Sequence, residues 1–384
     1  MPFEPPTIPR NRGYFFAQPS FTASWNDFVP GGSGGGGDDD SVTLDNFVIS
    51  YGNNDDLGDT HCYILSKING STSIHQIDSI SPTVGGCAEY IPQLDMWFVG
   101  LNKCSIAVSQ DGISWEVKVL ETDSTRQIQG VIYVDAWSKL FAFNSYGDVF
   151  SSTDGLEWTK IYNSAASDFI YFPGIVQDGS RLAACAGTVG TLYSDNGETF
   201  TLSTSSSSGT YAGLNTTTIM YKNKFITVFN KKVFSLATSP VNWSQYENKT
   251  FSDNPEGFAR YTNGSTFPTL ARYIESIDAV IGMTSNSTGV FVSAIADDLT
   301  TLTTKTLRLG GGTHAKEECA ACYNKNIDKI CIPSNAGVYV FSPQDLLDYV
   351  TSETVTADDL NAKKIAIPEL ESMTIRRVYM AVKG

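Results

Sequence analysis

Three segments carry one turn signature: Ser109-Gln-Asp111-Gly112-Ile-Ser-Trp115, Ser152-Thr-Asp154-Gly155-Leu-Glu-Trp158 and Tyr193-Ser-Asp195-Asn-Gly197-Glu-Thr199-Phe200. A fourth, Ala237-Thr-Ser239-Pro240-Val-Asn-Trp243, keeps the length and the Trp without the Asp and Gly. The anchor positions 111, 154, 195 and 239 lie 43, 41 and 44 residues apart. A second marker has the same spacing: the apolar runs Trp97-Phe98-Val99, Leu140-Phe141-Ala142-Phe143, Leu182-Ala183-Ala184 and Phe225-Ile226-Thr227-Val228 begin 43, 42 and 43 residues apart. A shared period of about 40–45 residues is the length of a four-stranded propeller blade. The residue types of the turn have a physical reason. An Asp accepts hydrogen bonds from N–H groups two or three residues on, Gly supplies positive φ, and Ser or Thr adds a local bond. The closing Trp or Phe then starts the last strand and packs against the neighbouring unit.

At these residues the chain resembles the Asp-box, or BNR, repeat family, whose usual form is S-x-D-x-G-x-T-W and which occurs in sialidases and many other β-propellers. The segment 193–200 matches that form with Tyr193 in place of Ser, and the segments at 109 and 152 are one residue shorter before the Trp. In that family the box sits on an outer hairpin away from the central ligand site. The resemblance therefore implies structural roles for Asp111, Asp154 and Asp195, not metal ligation.

Outward from the boxes, strand-like runs at 46–51, 62–68 and 73–80 surround the hairpin signal Asn69-Gly70, which gives a first unit. Ala279-Val280-Ile281 with Val290-Phe291-Val292 marks another unit, stretched by a polar insertion at 251–268. Ile330-Cys331-Ile332 with Val338-Tyr339-Val340-Phe341 marks the last. The expectation is an all-β, single β-propeller of seven blades over 45–350, with a C-terminal segment 351–384. The first unit shows three strands, and the alternating stretch 374–382 is expected to complete it and close the ring, removing sheet edges.

Composition agrees with this reading. The 384 residues are 41% hydrophobic, 12% aromatic and only 17% charged, with 33 Gly, 18 Tyr and 21 Phe, which favours short strands and tight turns. A net charge of −15 and the lack of a basic run argue against a nucleic-acid partner. The start is broken by Pro2, Pro5, Pro6 and Pro9, and no stretch reads as a signal peptide or a membrane span. Seven cysteines, at 62, 87, 104, 185, 319, 322 and 331, suggest reduced, mostly buried thiols and no disulfide framework.

Residues 1–30 are proline-rich and then aromatic, with Tyr14, Phe15, Phe16, Phe21, Trp25 and Phe28 close together. The Gly/Asp-rich stretch 31–44 reads as a linker; its ten residues 31–40 span on the order of 17 Å. So many rings suggest an extended arm that becomes ordered on a partner surface. Folding back onto the propeller wall is the alternative.

Candidate chemistry is sparse. His61, His75 and His314 form no nucleophile–base arrangement visible in sequence. His314-x4-Cys319-x2-Cys322-x8-Cys331 has zinc-ligand types, yet its cysteines lie in predicted strands, as Cys185 does, where small buried Cys is common. No catalytic residue, cofactor or metal is assigned. Asn53-Asn54-Asp55-Asp56-Leu57-Gly58-Asp59 lacks EF-hand spacing and reads as a solvated loop. Sequons such as those at Asn215 and Asn263 carry no weight without an export signal. The Phe-Arg-Ile-Pro-type motif of sialidases is missing, and Arg10 and Arg12 are the only arginines before the first box. The functional expectation is a non-enzymatic virion protein, resembling structural proteins of tailed phages or other viruses. It would be anchored by its arm to other virion proteins, with a host-surface glycan or protein as a further contact, and without membrane insertion. A glycan-binding or glycan-hydrolysing propeller and a cellular assembly factor are the alternatives.

Overall fold

The structure is a computed structural model that describes residues 44–383 apart from 55–59, 78–83, 123, 165–174, 187–189, 204–216, 223, 230–231, 237–242, 251–266, 287–288, 297–301, 308–317, 320, 335–336, 353–355, 357–358, 361–363 and 372–374. The arm residues Tyr14, Phe15, Phe16, Phe21, Trp25 and Phe28 lie outside the described residues, as do His314, Asn215 and Asn263. The described fold is all-β, with two helical insertions near the end.

The first strands are β1 (Phe47–Asn54), β2 (Thr60–Ile68) and β3 (Ser71–Ile77). A set of four follows: β4 (Val84–Ile91), β5 (Met96–Leu101), β6 (Ser105–Ser109) and β7 (Glu116–Val119). The next set is β8 (Ile128–Val134), β9 (Lys139–Asn144), β10 (Val149–Ser152) and β11 (Thr159–Tyr162). Then come β12 (Ile175–Gln177), β13 (Leu182–Ala186), β14 (Gly190–Ser194) and β15 (Thr201–Ser203). β16 (Thr217–Tyr221), β17 (Lys224–Phe229), β18 (Lys232–Leu236) and β19 (Trp243–Thr250) form a further set. β20 (Phe267–Ile274), β21 (Ala279–Asn286), β22 (Gly289–Ala296) and β23 (Leu302–Leu307) form another. The chain ends with β24 (Glu318–Cys319), β25 (Cys322–Asn324), β26 (Lys329–Ser334), β27 (Gly337–Phe341), helix α1 (Pro343–Thr351), β28 (Lys364–Ala366), helix α2 (Pro368–Glu371) and β29 (Ile375–Val382).

Six four-stranded sheets share one simple antiparallel order, the arrangement of propeller blades. Their innermost strands are β4, β8, β12, β16, β20 and β25. A further sheet has the order β24-β29-β1-β2-β3. In it β29 runs antiparallel to β1, from Phe47↔Val382 to Asn53↔Ile375, and the short β24 runs parallel to β29. The inner strands form a circuit: β29 lies beside β4, β4 beside β8, and so on through β12, β16, β20 and β25 back to β29.

Second strands are sandwiched between neighbouring sheets, so both their faces are covered and their sequences read as unbroken apolar runs rather than alternating ones. All six residues of β5, Met-Trp-Phe-Val-Gly-Leu, are buried, whereas β7 at the rim is half-exposed. The core is accordingly divided among the seams between sheets. One seam packs Val48, Ile64 and Ile77 against Trp97 and Val99; the next packs Phe98 and Ile106 against Leu140 and Phe150.

The end of the ring differs from the sequence expectation. β28 supplies the outer strand of the last sheet from beyond residue 350, because α1 is inserted after β27. Ser342 caps α1 in a capping box with Asp345, and Leu346, Tyr349 and Val350 bury its apolar face beside β22 and β23.

Candidate functional site

The Asp turns connect the third and fourth strands of their sheets. Asp111 Oδ1 accepts from the Ile113 and Ser114 N–H groups, both at 2.7 Å, and its Oδ2 from the Ser114 hydroxyl at 2.9 Å. Ser109 Oγ donates to Asp111 at 3.0 Å and accepts from Gly112 N at 2.8 Å. Burial pushes the Asp111 carboxyl up, but the hydrogen bonds from Ser114 and Ile113 outweigh it and bring it to about 2. Asp154 repeats the pattern with Leu156 N at 2.8 Å, Glu157 N at 3.0 Å and Ser152 Oγ at 3.0 Å.

In the third turn the structure corrects the sequence reading: Asn196, not Asp195, occupies the Asp place. Its Oδ1 accepts from Glu198 N and Thr199 N, each at 2.9 Å, while Ser194 Oγ accepts from Gly197 N. Ser194, not Tyr193, is therefore the equivalent of Ser109 and Ser152, and all three turns have one length. In the fourth turn, residues 237–242 are outside the described set, and Trp243 begins β19 opposite Leu236.

Each turn presses on the sheet before it. Gly112, Gly155 and Gly197 have φ of +73°, +78° and +70°. A Cβ at these positions would lie 2.8 Å from Ile68 and 2.6 Å from Phe98 in the preceding sheets, and 2.5 Å from Trp137 in the turn that joins β8 to β9. Trp115, Trp158 and Phe200 close the same three seams.

A second recurrent turn, not recognised in the sequence, joins first and second strands as Tyr-x4-Asp. Tyr90 Oη donates to Asp95 at 2.6 Å and Tyr323 Oη to Asp328 at 2.9 Å; Tyr273 donates to Asp278 likewise. Asp95, Asp278 and Asp328 all have positive φ, which Asp tolerates better than most residues. These turns link successive sheets. Lys383 Nζ meets Asp95 at 2.6 Å, Gln93 donates to Asp135 at 2.9 Å, and Ala136 N donates to Gly179 O at 3.0 Å. Arg181 lies over the Phe225 ring, Lys222 pairs with Asp278 at 3.0 Å, Ser276 donates to Asp328 at 2.9 Å, and Asn324 donates to Val382 O at 2.7 Å. Every junction in the circuit of inner strands is bridged this way.

The inner strands enclose a cavity of about 200 Å³ lined by Glu89, Ile91 and Gln93 of β4 and its turn, Gly130 to Tyr133 of β8, Ile175 and Gln177 of β12, and Arg272 of β20. Glu89 and Arg272 are its charged lining residues among those described. Burial pushes the Glu89 carboxyl up to about 7, against the Arg272 charge, which pulls it down. Neither spacing nor repeat in the sequence singles out these two residues. A separate charged cluster at a seam is fully engaged: the buried Asp148 side chain meets Arg126, Lys160 at 3.1 Å, Asn144 Nδ2 at 2.8 Å and Ser164 N at 2.8 Å.

Of the other sequence candidates, His314 lies outside the described residues and the rest are spread over several strands. His61 and His75 lie on β2 and β3. Cys62, Cys87, Cys104 and Cys331 are buried free thiols, and Cys322 is a partly buried one directly opposite Cys331. No group of three or more metal-ligand side chains occurs among the described residues. Among them, too, no helix is long and apolar enough to cross a membrane.

The sequence matches no protein-family model and no curated protein. Solved structures do match. A streptogramin B lyase is 13% identical, with a TM-score of 0.51 over 75% of this chain and 94% of that one. Virginiamycin B lyase from Staphylococcus aureus is 10% identical, with a TM-score of 0.51 over 74% and 90%. At such identities the likeness speaks for the fold alone, a β-propeller.

Proposed function

We propose that the chain is a closed, seven-bladed β-propeller of the Asp-box type that serves as a non-enzymatic component of a virus particle. It is held to a tail or capsid protein by the aromatic arm 1–30. The observation that favours a scaffold over an enzyme is how the acids are used. Asp111 and Asp154 hold their own turns, and Asp95, Asp148, Asp278 and Asp328 bridge sheets or brace turns. Among the described residues the axial cavity presents a single carboxyl, Glu89, whereas glycoside hydrolysis ordinarily draws on two flanking the bond. The virion assignment itself rests on the composition, the rigid ring and the arm with its Gly-rich linker.

Particle sedimentation tests this reading. The intact chain should cosediment with purified particles of the virus that encodes it. A chain lacking residues 1–40 should remain in the supernatant while keeping its circular-dichroism spectrum. Turnover of a glycan substrate, or free chain where particles are pure, would replace the proposal with the glycan-active or cellular alternative.

A further inference from the structure

We propose that the axial cavity binds a small zwitterion of the α-amino-acid type, its carboxylate on Arg272 and its ammonium on Glu89. The two side chains come from different sheets, on β4 and β20, and both line one cavity of about 200 Å³. Among the described residues neither has a hydrogen-bond or ion-pair partner, and the two are not paired with each other. Elsewhere the molecule satisfies its charged groups: the fully buried Asp148 has four partners. Both side chains are half-buried at the cavity wall, so a ligand that meets both replaces the water they face and pairs each with an opposite charge.

The charges choose the ligand class. A simple anion would engage Arg272 and leave Glu89 facing like charge, and the net charge of −15 opposes its approach. A simple cation would leave Arg272 unmatched. A molecule carrying one charge of each sign suits both groups and, being neutral overall, is not repelled. Gln93, Gln177 and Tyr133 supply polar lining, and Ile175 an apolar wall. Among the described residues, the other titratable groups near Glu89 are the thiols of Cys87, on its own strand, and Cys322, on β25, and the Tyr133 phenol on β8. Burial keeps the Cys87 thiol protonated, and hydrogen bonding with Cys331 together with burial does the same for Cys322. Arg272 is therefore the one charge that Glu89 faces among these groups.

The test is calorimetric titration of the full chain with a panel of free amino acids, with acetate and methylammonium as single-charge controls. At least one amino acid should bind, about tenfold or more tighter than either control. Glu89→Gln and Arg272→Gln should each weaken it about tenfold or more, with melting curves showing that the fold is kept. Affinity should fall from about pH 8 to about pH 5 as Glu89 takes up a proton, and Glu89→Gln should abolish that dependence. No heat from any amino acid on the wild-type chain, or binding that Glu89→Gln leaves unchanged, overturns the proposal. Neither result bears on the particle assignment, which sedimentation tests separately.

Discussion

Replacing Gly155 with alanine tests whether the Asp turns wedge the sheets together. The residue has φ of +78°, and its added Cβ would sit 2.6 Å from Phe98 Cζ, 2.9 Å from Phe98 Cε1 and 3.4 Å from Leu140 Cδ1. Phe98 is fully buried in the seam and cannot swing aside. The left-handed backbone alone costs an alanine about 1–2 kcal/mol. Overpacking a filled seam adds about 1–3 kcal/mol. Gly70→Ala isolates the first cost: Gly70 also has φ of +78°, and nothing lies within 4 Å of its added Cβ. Urea unfolding of both variants should show Gly155→Ala less stable by about 2–5 kcal/mol and Gly70→Ala by about 1–2 kcal/mol. Equal losses would refute the wedge, since the contacts with Phe98 and Leu140 are absent at Gly70.

Other substitutions probe the remaining polar devices. Asp111→Ala removes four hydrogen bonds from an exposed turn and should cost about 1–2 kcal/mol at neutral pH, while Asp111→Asn should cost less, as Asn196 fills the same place. The folded carboxyl lies at about 2, below the ordinary Asp value of 3.8, so its contribution is present above the higher value and is lost as pH falls through about 2. Wild type and Asp111→Ala should converge there in acid unfolding curves. Glu89 has the opposite sign: held at about 7 against the ordinary Glu value of 4.5, it favours the folded state below pH 4.5, and this is lost as pH rises through about 7. Glu89→Gln should flatten that slope, gaining about 2–3 kcal/mol on wild type by about pH 8 in pH-dependent urea melts. Asp148→Ala removes the ion-pair partner of Arg126 and the acceptor of Asn144 Nδ2 and Ser164 N, while Lys160 keeps Glu121 at 2.8 Å, and should lower stability by about 3–5 kcal/mol in the same assay.

What could be read in advance follows the physics of local pattern. The runs at Trp97 and Leu140 stood out because strands covered on both faces must be apolar throughout, and the turns stood out because few residue types satisfy that geometry. In the third turn Tyr193 and Asp195 fit the family form as written. The strand end at Ser194, opposite Leu182, instead places Asn196 at the acceptor position. The Tyr-x4-Asp turn is present in sequence at Tyr90, Tyr273 and Tyr323 but does not recur in every sheet: Tyr133 is followed by Ser138 in the Asp place, and Tyr221 pairs directly with Lys224 across a shorter turn. β28 falls outside the sequence period because helix α1 interrupts it. Glu89 and Arg272 were beyond reach: they are far apart in sequence, and only closing the circuit of inner strands brings them to one cavity.

That closure depends on β29, which carries the end of the chain to β1 near its described beginning and is tied by Lys383 to Asp95. Native-state hydrogen exchange tests it most directly. In a closed ring the amides of β29 that pair with β1 exchange as slowly as those of β1 and in the same cooperative unit. Exchange of residues 378–382 at the rate of a frayed tail, with β1 still protected, would contradict a ring closed at that seam.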